Sequence, residues 1–257
     1  VFINHPSRSA TGVGEWGDVT PDELREWHDA APQVLVGMEG APGHQAAQKH
    51  RGLYRNDDAP TFGGFDQMTA RVGGEWDRIL ASGRRFWITA TSDSHENLRD
   101  GGRDFDPGQY SKTIVWARPE ADDILDGLRH GRMFAVTGDL IDAMELTVQP
   151  DDNAQRSAKM GGTLEVRRDT ALRVALKLRQ PSMPNANGDR PVLDHVDLIV
   201  GTIGVDGQAQ MDVKRLDAAA WKRDGQWLAM QWKLPPMPRG GFVRVRGSNT
   251  RDAEPAA

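Results

Sequence analysis

Apolar positions fall into two textures along the chain. Up to about Leu140, short apolar runs alternate with segments whose apolar residues recur at helical spacing, a pattern that predicts parallel strands with helices packed outside them. "VFI" leads into a loop. "TPDELREWHDAA" then offers Thr20 as helix cap, Pro21 at the first helical position and Glu23 to complete a capping box. "QVLVGM" predicts a second strand, "GGEWDRILASG" a short amphipathic helix ended by Gly83, and "RFWITAT" a third strand. "SKTIVWA" predicts a fourth, "RPEADDILDGLRHG" a helix opened by Pro119 and closed by Gly131, and "RMFAVTG" a fifth.

From about Ile141 the spacing changes to strict alternation. "AMELTV", "LRVALKLR", "VDLIVGTI", "WLAMQWKL" and "FVRVRG" are separated by Gly, Pro, Asn and Asp, which predicts antiparallel strands of a β-sandwich-like domain. The chain therefore divides into residues 1–140 and 141–257. The longest polar, proline-bearing stretch, "RQPSMPNANGDRPVLD", predicts an exposed loop. No internal repeat or low-complexity tract interrupts either half.

Composition narrows the function classes only modestly. With 257 residues, 38% hydrophobic and 27% charged, the chain has ordinary globular usage. A formal charge of -5 gives no general basic field, which disfavours a general nucleic-acid binder. There is no cysteine, so disulfides and thiolate metal sites are excluded and His, Asp and Glu remain as the strong metal ligands. No apolar stretch reaches the length of a membrane helix. The chain opens inside an apolar run without an initiator methionine, and the expectation is a piece of a longer soluble protein, exported or periplasmic.

Candidate chemistry gathers where the expected strands end. "VFI" runs into Asn4-His5-Pro6, "VLVGM" into Glu39, and "FWITA" into "TSDSHEN" with Asp93 and His95. Asp93 and His95 would share a face if extended backbone carried through to His95. Neighbouring parallel strands open their C-terminal ends onto one mouth, so three ligand-bearing ends point to a metal site there. His44, in "GAPGHQ", lies in a loop able to fold over such a mouth, and Arg8 is placed to meet a phosphate with its forked donors. His28, His50 and His130 read as structural or surface residues, and His195, in the second half, as remote. Trp221, Trp227 and Trp232 offer aromatic faces for a sugar or partner, with burial in a core the plainer role for at least two of them.

"NHP" at Asn4–Pro6, "GMEG" at Gly37–Gly40, "TSDSH" at Thr91–His95 and "ILDGLRHGRMFAVTG" at Ile124–Gly138 together resemble the polymerase and histidinol phosphatase (PHP) superfamily of metal-dependent phosphoesterases. The resemblance covers roughly the first 140 residues, and only the order of the motifs is specific. It implies an α/β fold, a distorted (β/α)7 barrel incomplete at its N-terminus, with up to three Zn, Mn or Fe ions at its mouth. Matched by position, His5, Asp93 and His95 resemble family ligands, with Glu39 and His44 as further metal-site candidates. One departure stands out: no two histidines here are two residues apart, so the family's first His-x-His signature either lies in a missing N-terminal segment or has been lost.

The function expected from these residues is hydrolysis of a small phosphate monoester or diester by metal-activated water, with Asp93, His95 and Arg8 in the catalytic constellation. The alternative is a non-catalytic binding or structural module of a larger exported protein.

Overall fold

The computed structural model of the chain describes residues 1–6, 19–42, 61–94, 105–153, 155–204 and 208–256. In chain order its first half runs β1 (Phe2–Ile3), α1 (Pro21–Ala30), β2 (Gly37–Ala41), the hairpin strands β3 (Thr61–Phe62) and β4 (Phe65–Asp66), α2 (Gln67–Ala70), α3 (Glu75–Ala81), β5 (Trp87–Ala90), β6 (Lys112–Val115), α4 (Ala121–Arg129) and β7 (Met133–Val136). Helix α1 begins where its caps dictate. The Thr20 hydroxyl accepts from the Glu23 amide at 3.2 Å and the Glu23 carboxylate accepts from the Thr20 amide at 2.9 Å, satisfying two amides that the helix itself leaves without partners. Leu24 and His28, one turn apart, are its buried face.

Strands β1, β2 and β5 form a parallel sheet in that order. Its core is Leu24, Leu35, Met38, Met68, Ile79 and Phe86, so α1, α2 and α3 all pack onto it. The run "QVLVGM" is only partly strand. The amides of Val34 and Leu35 bond back to the Ala31 carbonyl in a turn, and the ladder begins at Gly37. Gly37 is required there, because a Cβ would sit 2.2 Å from the Trp87 carbonyl oxygen and 2.6 Å from the Phe2 ring.

The expected (β/α)7 barrel is not what the chain builds: the sheets are small and, among the described residues, none closes into a barrel. The divergence occurs after β5. Thr113 places its hydroxyl on the strand edge, accepting from the Ala90 amide at 2.9 Å and donating to the Ala90 carbonyl at 3.1 Å. Strand β6 then pairs with β7 rather than extending the parallel sheet. That pairing is antiparallel, with Lys112 opposite Val136 and Val115 opposite Met133. Gly131, at φ 70°, turns the chain sharply after α4, and a Cβ there would lie 2.5 Å from the Trp87 ring. A barrel needs each crossover helix to return a parallel neighbour; this one returns an antiparallel partner.

The second half contains β8 (Ala143–Pro150), β9 (Ala158–Lys159), β10 (Leu172–Arg179), β11 (His195–Ile203), β12 (Ala209–Asp217), β13 (Lys222–Asp224), β14 (Trp227–Leu234) and β15 (Gly241–Ser248). They form one antiparallel sheet ordered β13-β14-β10-β8-β9 and another ordered β12-β11-β15. Alternation decides the faces. Leu172, Val174, Leu176 and Leu178 of β10 meet Leu228, Met230, Trp232 and Leu234 of β14 and Val196, Leu198 and Val200 of β11 in one core. Phe134 and Val136 of β7 join that same core. Trp232 is buried in this core and Trp221 packs against the core's edge, while Trp227 carries the Arg179 guanidinium 5.7 Å from its ring centroid.

The outer face of the β12-β11-β15 sheet is not left to water. Helix α3 packs across it, and the residues alternating with the apolar set on β11 and β15, His195, Asp197 and Arg244, are buried. Arg244 donates to both Asp77 oxygens at 2.6 and 2.9 Å, and Arg246 donates to the Phe62 carbonyl at 2.6 Å. The chain's end adds to this joint, where the Val72 amide donates to the Pro255 carbonyl at 2.8 Å.

Candidate functional sites

The C-terminal edge of the parallel sheet is organised around Glu39. β2 and β5 shift register between Glu39 and Ala41, and the Glu39 side chain is buried among the three strand ends, at 3% exposure. Each neighbouring strand end supplies a donor. The His5 amide donates to Oε2 at 2.7 Å, and the Thr91 hydroxyl donates to Oε1. Burial pushes the Glu39 carboxyl above its ordinary value; the two hydrogen bonds and the charge of His5 oppose this, and the charge of Asp93 adds to it. His5 and Asp93 thus both reach Glu39 electrostatically. The Ser94 hydroxyl, buried beside Asp93 in sequence, has no hydrogen-bond partner.

Both flanking residues leave the sheet in the left-handed backbone region, His5 at φ 28° and Asp93 at φ 46°, which costs non-glycine residues about 1–2 kcal/mol. The extended backbone that would align Asp93 with residue 95 therefore stops at Ala90. Three candidates, Arg8, His44 and His95, lie outside the described residues.

A second cluster lies on the buried outer face of β11. His195 and Asp197, both at 0% exposure, share that face by alternation, and Glu254 reaches it from the C-terminal segment. Among the described residues this is the group whose His, Asp and Glu ligand atoms all lie within 4.8 Å of one another, so these three residues could hold a metal ion. Their surroundings are charged as well. Arg215 donates to Asp197 at 3.0 and 2.8 Å, which holds the guanidinium above its usual range. Burial pushes Arg246 down and Glu254 up; the two stand 3.1 Å apart, with angles that miss hydrogen-bond alignment.

The signal for this cluster is present in the sequence as "DHVD" at 194–197. It has the same two-residue spacing of His and Asp as "TSDSH". Opening an alternating strand rather than following the C-terminal end of one, it reads as an outward face, and only the docking of α3 and the C-terminal segment buries it. Among the described residues the two remaining histidines have structural partners: His28 Nδ1 lies 2.7 Å from the Leu35 carbonyl, and His130 Nδ1 lies 2.9 Å from Asp126.

Comparison of the chain with protein-family models, with curated proteins and with solved structures gives no match. Among the described residues, no helix is long and apolar enough to cross a membrane.

Proposed function

We propose that the C-terminal edge of the parallel sheet serves a metal-dependent phosphoesterase, acting on a small phosphate monoester or diester. The observation that carries this reading is the meeting of three adjacent parallel strand ends at Glu39, which accepts from the His5 amide and lies within electrostatic reach of His5 and Asp93, although the ligand atoms of the three do not all lie within 4.8 Å of one another. One imidazole and two carboxylates suit Zn, Mn or Fe. Buried Glu39 gives the fit test: a carboxyl whose charge is disfavoured by burial is a group that a nearby cation would favour ionising. His5, Glu39 and Asp93 would hold the ion after closing toward one another, with His95 as a further ligand on the strength of the PHP resemblance and His44 on that of its position in the sequence after β2. A divalent ion bound there supplies Lewis acidity and a water of lowered pKa. The chain's own part is positional, with the His5 amide and Thr91 hydroxyl fixing both Glu39 oxygens and Arg8, by its place in the sequence, the candidate to bind the phosphate.

The test is hydrolysis of an aryl phosphate monoester and diester by the chain, and by any longer form of the protein, after loading with Mn or Zn. Asp93→Ala should lower turnover at least a hundredfold with the melting temperature nearly unchanged. Turnover unaffected by Asp93→Ala would end the proposal. One observation favours a second reading, a non-catalytic module: both Glu39 oxygens already accept hydrogen bonds that tie the strand ends together. Under that reading Glu39→Gln lowers stability and there is no metal-dependent activity to lose.

A further inference from the structure

We propose that His195, Asp197 and Glu254 bind one divalent transition-metal ion of the zinc class, a structural site separate from the strand-end edge and independent of the proposed activity. His195 Nδ1 lies 3.1 Å from Asp194 Oδ2, and because a carboxylate only accepts, the proton of a neutral ring sits on Nδ1. Nε2 then presents a lone pair into the cluster. It is buried, it lies 3.3 Å from Asp197 Oδ2, and it has no hydrogen-bond partner. Glu254 Oε2 is likewise buried without one. Arginines face the two carboxylates, whereas the Nε2 lone pair is buried with no donor facing it, a group that a cation bound among the three residues would satisfy.

Neighbouring charges pair off around the cluster. Asp194, Asp197 and Glu254 give three negative charges. Arg215 is committed to Asp197 and Arg246 to Glu254 and Phe62, while Arg244 is neutralised by Asp77. Arg251, 3.9 Å from Asp194 and 94% exposed, is screened by water. With a neutral imidazole the two buried carboxylates are matched by Arg215 and Arg246 and the remaining negative charge sits on partly exposed Asp194, so the place for a cation is marked by the unpaired Nε2 lone pair. Ligand atoms of one tetrahedral zinc lie roughly 3.4 Å apart, which only a small closure of the observed spacing within 4.8 Å requires. Asp194 orients the imidazole from outside, the carboxylate-histidine-metal arrangement that fixes a ligand's tautomer. The ion would fasten the C-terminal segment to the central strand of the three-stranded sheet.

The experiment strips the whole chain with chelator, titrates it with Zn and separately with Co, and follows stoichiometry, the visible Co spectrum and the thermal midpoint. Expected are one tight ion per chain, d–d absorption of a tetrahedral Co centre, and a midpoint that rises with metal concentration. Glu254→Gln should weaken binding at least tenfold, and Asp194→Asn, on the partly exposed orienting residue, about tenfold. Glu39→Gln and Asp93→Ala should leave this ion bound, which separates failure here from failure at the strand-end edge. If Glu254→Gln does not fold, Asp194→Asn decides. Absence of binding below about 100 μM metal, or unchanged affinity in the variants, overturns the proposal. So does an NMR signature of His195 protonated on both nitrogens in metal-saturated protein, because the cation would then be a proton.

Discussion

Burying Glu39 sets a sign on its pH dependence. Its folded carboxyl lies above the unfolded value of 4.5, so its contribution to stability is fully present below that value and is lost as pH rises through the folded one. In metal-free protein, Glu39→Gln should therefore gain on wild type as pH is raised from 4.5 to about 8. A series of melting temperatures across that range checks this, and a constant difference would mean that the carboxyl is not buried as described. The Arg244 and Asp77 pair makes a sharper case. Their side chains are 6% and 1% exposed, and removing one partner strands a buried charge at a cost of about 3–5 kcal/mol. Arg244→Ala and Asp77→Ala should each destabilise by that order, and the double variant by much less than their sum. Chemical denaturation of all four proteins measures the coupling directly.

At the scale of elements, the turn after α4 decides the topology. Gly131→Ala asks an alanine to adopt φ 70° and to place its Cβ against Trp87. Left-handed strain and overpacking together should cost about 2–4 kcal/mol. Differential scanning calorimetry should register a fall of several degrees, whereas Gly83→Ala, equally left-handed but with nothing within 4 Å of its Cβ, should show the strain alone. Comparing the two separates backbone from packing. The polar stretch of residues 180–194 is a loop held in its middle by Asn185 and at its end by buried Leu193. Asn185 is buried, donating to the Gly138 carbonyl at 3.0 Å and accepting from the amides of Asn187 and Asp189. Limited proteolysis should cut within 182–191 before it cuts β5, and Asn185→Ala should hasten that cut severalfold. No acceleration would show that the anchor contributes little.

For the molecule as a whole, the joint beneath α3 combines buried charge with the apolar contacts of Ile199 and Trp76. It is stitched by Arg244 to Asp77, Arg246 to Phe62, and the Val72 amide to Pro255. Such a joint transmits unfolding only while its pairs are intact. The wild-type chain should melt in one transition, and Arg244→Ala should broaden or split it when followed by far-UV and tryptophan signals together. Coincident single transitions in the variant would assign the coupling to the apolar contacts of β7 with the C-terminal core instead.

Local signals carried as far as local physics does. Thr20 and Glu23 specify where α1 starts because a capping box needs only four residues. Strict alternation specifies β8, β10, β11, β14 and β15 because a two-residue period fixes which side chains share a face. The sequence also marks His5, Glu39 and Asp93 as polar ends of apolar runs, whereas their mutual placement required three strands to align in parallel. Whether β6 would extend the parallel sheet or pair with β7 was invisible along the chain, since both arrangements bury the same apolar run. The Thr113 hydroxyl on Ala90 and the turn at Gly131 resolve it. Periodicity likewise predicts that His195, Asp197, Arg244 and Arg246 face away from the sandwich core, yet it cannot say what covers them. Only the docking of α3, the hairpin and the C-terminal segment turns an outward face into a buried charged cluster, because burial depends on partners far apart in sequence.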